Sequence, residues 1–298
     1  MKPKKKRSFI ILISCTFLVI AVLFSYTPWF SSSNTNETFI YYPEDTQLSF
    51  IDYNSNLFIS KLKDNNEYYL DWEFNSKTNK PVFLRQDLSL LFENGILVDY
   101  ERVREEKTDT ITEKISFHGK DSGKHEVITY HYAEIHYEES DIKSKQAMST
   151  DILYVMDSPL SPLIDFKTPQ TDNEKESMEL LDSIIDQQLE YVWEGIMEEF
   201  NINKKDYLQI PFNNLPDYNN TPLAMFSQDE TTEIIGKLWE GIYKYYILGI
   251  NTFSDSSYNS IGNSLPLILV HQDGKHLIVI YETADQTKQQ LLQLIPSN

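Results

Sequence analysis

The 298-residue chain contains one cysteine, Cys15, so no internal disulfide can form. The residues after it can supply no thiol nucleophile and no thiolate metal ligand. Small secreted domains often need disulfides, but about 268 residues beyond the N-terminal segment can bury enough apolar surface to fold without them. The lack of cysteine therefore predicts a domain held by its own core, and it suits a bacterial surface better than an endoplasmic reticulum.

Asp and Glu are absent from the first thirty residues, which open with the basic cluster Lys2, Lys4, Lys5, Lys6 and Arg7. A stretch of about 23 uncharged residues follows at 8–30, long enough as a helix to cross a hydrocarbon core of roughly 30 Å. Tyr26 and Trp29 lie at its distal end, where amphipathic rings favour the membrane interface. We therefore predict a cytoplasmic tail at 1–7, a single-pass transmembrane anchor at 8–30 and an extracytoplasmic remainder.

Two other interpretations of this segment stay open. A cleaved signal peptide has an apolar core of about 7–15 residues, whereas this core is longer and its best cleavage site, 31–33, lies late. Residues 12–15 have the form of a lipobox, which would make Cys15 the acylated N-terminus. The residues after Cys15 stay apolar where a lipoprotein normally turns polar, so we expect Cys15 to be an ordinary membrane residue.

Basic residues are scarce beyond the anchor. With the five N-terminal basic residues set aside, 21 Lys and Arg face 45 Asp and Glu, which is a net charge of −24. This charge repels phosphates, so nucleic acid and anionic lipid headgroups are poor partners. Hydrophobic residues make up 41% of the chain, which indicates a folded domain and not a disordered stalk. The 19 tyrosines suit strands, and exposed ones can stack on sugars.

The fold class expected is α+β, in which an antiparallel β-hairpin-rich module follows the transmembrane helix and a helix-helix-hairpin-helix module ends the chain. The predicted divisions are a tether at 31–38, the β-rich module at 39–157, a linker at 158–176 and an α/β module at 177–298. Alternation and turn residues predict strands at 68–75 and 149–156 and three hairpins. These join 48–52 to 57–62, 82–92 to 96–103 through Asn94-Gly95, and 110–118 to 125–137 across Asp121-Ser122.

In the second module the hydrophobic period becomes helical. The pattern predicts helices at 174–200, capped by Asp172 or Asn173, and at 229–248, then a hairpin of 265–271 with 276–282 through Asp273-Gly274, and a terminal helix at 285–294. Trp-Glu-Gly-Ile occurs at 193–196 and again at 239–242. A glycine inside a helix costs about 1 kcal/mol relative to alanine, so we expect the two helices to cross closely at Gly195 and Gly241.

Histidines are the best candidates for chemistry. In the predicted third hairpin, His118 lies opposite His125, and His131 follows on the same polar face. His131 is roughly 20 Å along the strand from His125, too far to share an ion, and two ligands do not make a zinc site. We expect a solvated sheet face, with a pH-responsive His118–His125 pair as the alternative. His131 and His136 are five apart on a strand, which excludes the helical metalloprotease motif.

Other motif matches are incomplete. Residues 52–56 begin like a calcium loop, but Leu57 and Lys63 replace its glycine and glutamate. Residues 140–143 match Ser-x-x-Lys without its partner motifs, and the sequence has no Gly-x-Ser-x-Gly and no phosphate-binding glycine loop. The sequence therefore predicts no catalytic, cofactor-binding or metal residues.

These observations predict a membrane-anchored extracytoplasmic accessory, sensing or regulatory module that acts through protein or cell-envelope contacts without catalysis. The basis is the layout of the chain, by analogy with anchored surface regulators. The expected partners are a membrane- or wall-associated protein and, through the N-terminal helix, the lipid bilayer. The alternatives are a cell-surface hydrolase that uses a carboxylate pair, perhaps on wall glycan, and a solute- or ion-binding domain; the sequence singles out no pair.

The anchor is tested by the mass of the mature protein. We expect an intact N-terminus in protein isolated from membranes, because a helix of this length is retained in the bilayer. A mature chain that begins near Asn34 would show that the segment is a cleaved signal, and one that begins with a lipidated Cys15 would show a lipoprotein.

Overall fold

The computed structural model describes residues 39–62, 67–138, 141–158, 161–250 and 258–296. The predicted tail at 1–7, anchor at 8–30 and tether at 31–38 lie outside the described residues. Within the described ranges, no helix combines the length and the apolar character needed to cross a membrane.

Eight strands come first: β1 Phe50–Leu62, β2 Tyr68–Thr78, β3 Leu84–Glu93, β4 Ile96–Glu106, β5 Thr110–Gly119, β6 Gly123–His136, β7 Ile142–Ser158 and β8 Ser161–Phe166. Helices and shorter strands follow: α1 Asp172–Glu199, β9 Tyr207–Pro211, α2 Gln228–Gly241, β10 Leu267–His271, β11 His276–Glu282 and β12 Lys288–Leu294. Short 3₁₀ turns flank β9 at Lys204–Asp206 and Phe212–Tyr218, and a π-helical segment, Ile242–Ile247, continues α2. This mixture of strands and helices confirms the α+β class.

The strands form three antiparallel sheets. The front sheet has the order β1-β2-β5, the central sheet has the order β4-β3-β6-β7-β8, and the C-terminal sheet has the order β12-β11-β10-β9. The central sheet is covered on both faces, so nine of the ten residues of β3 are buried. Apolar residues of the front sheet pack on one of these faces, among them Leu57, Leu70, Trp72 and Phe74.

The opposite face of the central sheet packs on the C-terminal half of the chain. Ile128, Tyr130 and Met148 lie in one cluster with Leu189 of α1, Trp239 of α2 and residues of β10 and β11. The far face of the C-terminal sheet is covered by the end of α1, where Ile196 and Met197 contact residues 267, 269, 278 and 280. Thr38–Asn298 is accordingly one compact unit, whose largest core draws on both predicted modules.

Several local predictions are confirmed. The Asn94-Gly95 hairpin joins β3 to β4, with both residues at positive φ, 51° and 78°, as a primed turn requires. The Asp273-Gly274 hairpin joins β10 to β11. Both helices exist, but the cap of α1 is Thr171, in a capping box with Glu174, and not the predicted Asp172 or Asn173; α2 begins at a capping box of Ser227 with Glu230. The segment predicted as a linker, 158–176, contains β8 and the first turn of α1.

The predicted hairpin of 110–118 with 125–137 is wrong. Ile115 of β5 pairs with Trp72 of β2, whereas Ile128 of β6 pairs with Leu90 and Thr150, so the two strands belong to different sheets. Alternation identifies a strand and its buried face, but it does not identify the partner, and adjacent strands pair in only about two-thirds of cases. The segment between them crosses from the front sheet to the central sheet.

Three further predictions are corrected. Residues 48–52 and 57–62 do not form a hairpin, since β1 runs continuously through the Asn-rich stretch and pairs with β2. The predicted terminal helix at 285–294 is instead a turn followed by β12, which pairs with β11. The helices do not cross at the two glycines: a Cβ at Gly195 would meet the Lys288 amine at 3.4 Å, and one at Gly241 would meet no described atom within 4 Å.

The sheet assignment of β5 is testable at Gly119, which pairs with Tyr68 of β2. A Cβ at Gly119 would lie 2.3 Å from the buried Tyr68 ring, so we expect Gly119→Ala to lower the free energy of unfolding by about 1–3 kcal/mol. The matched control is Gly241→Ala, where the added Cβ is free and helix propensity favours alanine by up to about 1 kcal/mol. Chemical denaturation measures both, and equal effects would contradict the placement of β5.

Candidate functional site

The three histidines of the predicted polar face lie in three different environments. His118 is on the outer face of the front sheet, with Nε2 3.1 Å from an oxygen of Glu67. His125 and His131 of β6 point inward and are fully buried. The Tyr68 hydroxyl hydrogen-bonds with His125 Nε2 at 2.8 Å, and burial lowers the pKa of His125 to about 4. The expected solvated face and the His118–His125 pair are therefore both wrong.

His131 joins three strands of the central sheet through its two ring nitrogens. Nδ1 lies 2.9 Å from Asp87 Oδ2 on β3, and Nε2 lies 2.8 Å from Ser149 Oγ on β7. Asp87 also accepts a hydrogen bond from Ser76 of the front sheet, and Arg85 donates to the same Ser76 hydroxyl. Because these side chains lie between the front and central sheets, they bond one sheet to the other.

The hydroxyl of Ser149 continues this chain of hydrogen bonds. Ser149 and Thr129 both bond to Ser55 of β1, at 2.7 and 2.6 Å, and Thr129 bonds to Ser89 at 2.6 Å. Ser89 Oγ then accepts from Trp72 Nε1 at 2.9 Å. We call the connected set the intersheet network; its members are Ser55, Trp72, Ser76, Arg85, Asp87, Ser89, Thr129, His131 and Ser149.

Arg85 is the member of the intersheet network that most needs a compensating partner, because its charged guanidinium is fully buried. Its Nη2 lies 3.6 Å from Asp87 Oδ1, and its Cζ lies 4.7 Å from the centre of the Phe50 ring. Burial lowers the pKa of Arg85, and the charges of Asp87 and Asp109 oppose that shift. Among the described residues, Arg85 Nε and Nη1 find no hydrogen-bond partner, so Asp87 is the main compensation for this charge.

Asp87, His131 and Ser149 have the order of contacts of a serine-hydrolase triad, carboxylate to imidazole to hydroxyl. Acyl transfer also requires that a carbonyl reach the hydroxyl and that preorganised donors face its oxygen. Asp87 and His131 are completely buried, and the Ser149 hydroxyl is shared with Ser55 inside the sandwich. The three residues lie on strands whose partners use their backbone groups. The arrangement therefore holds the two sheets together and does not resemble a working active site.

A cleft of about 270 Å³ opens beside β7 at the rim of the sandwich. We call it the β7 cleft; its lining is Glu44, Ser49, Phe50, Tyr53, Lys145, Gln146, Ala147, Met148, Tyr218, Asn219, Asn220, Gln228, Asp229, Thr232 and Ile235. Phe50 and Tyr53 form the wall between the cleft and the intersheet network, with ring centres 6.2 and 5.7 Å from that of His131.

The β7 cleft lies where the edge of the central sheet is open. β8 pairs with the end of β7, at Tyr154–Ser158. Nearer the start of β7, Ser144 exchanges backbone hydrogen bonds with Pro43 and Asp45, at 2.9 and 2.7 Å. The Asn219 side chain bonds both backbone groups of Met148, at 2.9 and 2.8 Å.

Gln146 lies midway between these two capped positions. Backbone groups two residues apart on a strand point the same way, so its N–H and C=O face the cleft between caps about 13 Å apart. Its side chain is fixed on the face of the central sheet that packs on the C-terminal half, where it accepts from Tyr130 and donates to the Thr232 carbonyl, both at 2.6 Å. The strand therefore presents one backbone donor and one acceptor to the cleft.

The remaining lining is polar, aromatic and nearly balanced in charge. Lys145 and Glu44 form an ion pair at 3.0 Å, which leaves Asp229 as the other charged group of the lining. Neutral amides come from Asn219, Asn220 and Gln228, and aromatic surface comes from Tyr53 and Tyr218 among others. This local balance differs from the net charge of −24 that residues 31–298 carry.

The sequence predicted no shared site for the cleft residues, because they come from loops and strands far apart in the chain. The sequence contains one weak indication of the intersheet network: Arg85 and Asp87 interrupt a strand whose other residues are mostly apolar. Charged residues inside such a strand indicate a paired, buried group when both faces of the sheet are covered. That coverage could not be known before the C-terminal half was placed.

No family model matches this chain, and no curated protein matches it. Among solved structures, a crystal structure of a protein from Archaeoglobus fulgidus aligns with 41% of this chain and 100% of its own, at 13% identity and a TM-score of 0.19. A likeness at this score assigns neither fold nor function.

The role of the intersheet network is testable with Asp87→Leu. This change leaves the Arg85 guanidinium buried without its carboxylate, so we expect the free energy of unfolding to fall by about 3–5 kcal/mol. The double variant Arg85→Met/Asp87→Leu should recover much of the loss, because it removes both charges. Asp52→Leu, on the exposed side of β1, is the matched control, and urea unfolding followed by tryptophan fluorescence is the measurement. A double variant no more stable than Asp87→Leu alone would contradict the compensation.

Proposed function

We propose that this chain is a membrane-anchored extracytoplasmic binding module whose β7 cleft takes an uncharged, amide-bearing ligand of the cell envelope, with N-acetylated wall glycan as the class. The observation that carries the proposal is the single backbone donor–acceptor pair of Gln146, placed between two capped positions of β7. The module acts by binding, as an accessory or sensing protein, and not by catalysis.

The single donor–acceptor pair favours an acetamido group over a peptide strand. An acetamido group has one N–H and one C=O, which one strand residue can match. A peptide that added itself to the sheet edge would need the outward groups of successive alternate residues. At β7 those groups are already used at Ser144 by residues 43–45 and at Met148 by Asn219.

The rest of the lining suits the rings of a sugar. Aromatic faces such as those of Tyr53 and Tyr218 can cover the apolar C–H face of a pyranose, while the amides of Asn219 and Asn220 are hydrogen-bonding groups for hydroxyls. The Glu44–Lys145 pair leaves no free positive charge in the lining, which disfavours an anionic ligand. A neutral glycan fits these chemical limits better than a nucleotide or a phosphorylated lipid.

The proposed anchor would determine how far the β7 cleft can lie from the membrane. Phe39 is buried, and its ring packs edge-on against Tyr130 and Tyr132, with centroids 5.5 and 4.5 Å apart, so the body begins at the first described residue. About 14 residues separate the end of the proposed anchor from Glu44 at the cleft, a reach of at most about 50 Å. A retained anchor would therefore keep the β7 cleft close to the membrane, where envelope glycan is within reach.

We do not extend the proposal to hydrolysis. A carboxylate pair needs one acid that can give a proton and a second carboxylate facing it across the substrate. Of the cleft acids, Glu44 is held in an ion pair by Lys145, and Asp229 is exposed. No observation in the described part of the chain favours the hydrolase over a binding module.

The proposal is tested by titrating the full chain in detergent with triacetylchitotriose and, as a matched ligand, cellotriose, which lacks the acetamido groups. We expect saturable binding of the first and at least about tenfold weaker binding of the second, a difference of about 1.4 kcal/mol. Tyr53→Ala should weaken binding about 5- to 30-fold, because aromatic contacts commonly contribute above 1 kcal/mol at binding sites. Isothermal titration calorimetry measures each affinity.

The matched control is Tyr191→Ala, since Tyr191 is 82% exposed on α1 and is not part of the cleft lining. Its affinity for triacetylchitotriose should equal that of the unmodified chain. Equal affinity for both trisaccharides would refute recognition through the acetamido group. Binding that Tyr53→Ala leaves unchanged in a variant of normal melting temperature would refute the β7 cleft as the site.

A further inference from the structure

The β10–β11 hairpin brings together two imidazoles and a carboxylate. Val270 pairs with Leu277, so His271 and His276 face each other at the next position, and their rings stack at 4.6 Å. Asp273 lies in the turn between them, with Oδ1 2.7 Å from His271 Nδ1. One potential ligand atom from each of the three residues lies within 4.8 Å of the other two.

We propose that His271, Asp273 and His276 form a binding site for a divalent transition-metal ion, with Zn²⁺ as its representative. Two imidazole nitrogens and one carboxylate oxygen are a ligand set that zinc accepts, at about 2.0–2.2 Å from the ion. The three atoms now lie within 4.8 Å of one another, and around a tetrahedral ion they would be about 3.3–3.4 Å apart, so binding requires the stacked imidazoles to rotate towards the ion. Three protein ligands leave a fourth position for water or an external ligand, as in zinc sites that are not purely structural.

The hydrogen bonds around His271 support a cation at this place. Nδ1 lies 2.7 Å from Asp273 Oδ1 and also 3.2 Å from the Asp273 backbone nitrogen, which points its N–H at the ring. A lone pair on Nδ1 can accept from the amide but then faces a carboxylate oxygen, which is also an acceptor. A proton on Nδ1 satisfies the carboxylate but opposes the amide. A metal ion bound by both Nδ1 and Oδ1 would join these two acceptors, and the amide N–H would then have to turn away from Nδ1.

Neighbouring groups hold the imidazoles in position. The Tyr207 hydroxyl of β9 lies 3.1 Å from His276 Nε2, and its ring meets the His271 ring edge-on at 4.9 Å. A hydrogen bond to the second nitrogen of a metal-binding imidazole is the usual way to fix its orientation. Lys275 lies 3.7 Å from Asp273 Oδ2, the other carboxylate oxygen, and is 71% exposed, so it can move away from the ion.

The donor set also indicates which ions the site should prefer. Imidazole suits zinc, copper and nickel, whereas calcium and magnesium require oxygen ligands. The hairpin belongs to the C-terminal sheet, and none of its three ligands lines the β7 cleft, so the metal site is independent of the proposed glycan binding. The sequence analysis predicted the hairpin but expected no metal residues; that hairpin already placed His271 opposite His276.

The experiment is a calorimetric titration of the untagged full chain in detergent with ZnCl₂, in a buffer that does not chelate metal. We expect one Zn²⁺ per chain and no heat from millimolar MgCl₂. His276→Ala should weaken the affinity at least about tenfold, and Asp273→Asn should weaken it as well while it keeps the shape of the turn. His118→Ala is the matched control, because His118 also pairs with a carboxylate at the surface but has no second imidazole opposite it.

Coordination is read independently from the visible spectrum of the chain loaded with Co²⁺. An intense band that His276→Ala abolishes and His118→Ala retains would place the ion between these ligands. Sub-stoichiometric binding, or binding that both His276→Ala and Asp273→Asn leave unchanged, would overturn the proposal. Because Asp273→Asn is conservative and exposed, a lost site in that variant with an unchanged metal-free melting temperature separates ligand loss from unfolding.

Discussion

The burial of the central sheet on both faces is the constraint on which the other features of this structure depend. A polar side chain on such a sheet cannot turn to water and must find its partner inside the protein. Arg85, Asp87 and His131 meet this condition together, since each supplies what another lacks in charge or hydrogen bonding. Outside the stretch that pairs with β8, β7 is an edge of this sheet, and its backbone groups at Gln146 face a cleft.

The intersheet network specifies the alignment of the front and central sheets, which the apolar core between them does not do by itself. Apolar contact is non-directional, so it specifies which residues of two sheets face each other less sharply than hydrogen bonds do. The hydrogen bond that Ser76 donates to Asp87 and the one between Ser149 and Ser55 are directional, and each joins the central sheet to a specified residue of the front sheet. The alignment of the two sheets is thereby fixed, and with it the positions of Phe50 and Tyr53 at the wall of the β7 cleft.

Features encoded by a few neighbouring residues could be predicted from the sequence, and features that depend on distant partners could not. Asn94-Gly95 specifies its turn through backbone conformation alone, and the helices follow from their hydrophobic period. The partner of β5 depends on which strand covers which face, and hydrophobic alternation is the same for either partner. The sequence of residues 288–294 is compatible with a helix and with a strand. Pairing with β11 decides for the strand, in which the residues alternate in exposure.

The β7 cleft shows how the protection of a sheet edge can create a binding site. An exposed edge invites pairing with other chains, and proteins usually block it along its length. Here residues 43–45 block one position and Asn219 blocks another, while Gln146 between them stays open. The gap between these two blocked positions, about 13 Å, is too short to accept a strand. A single amide group can still enter, and the size of this gap is therefore what selects a small polar group over a peptide.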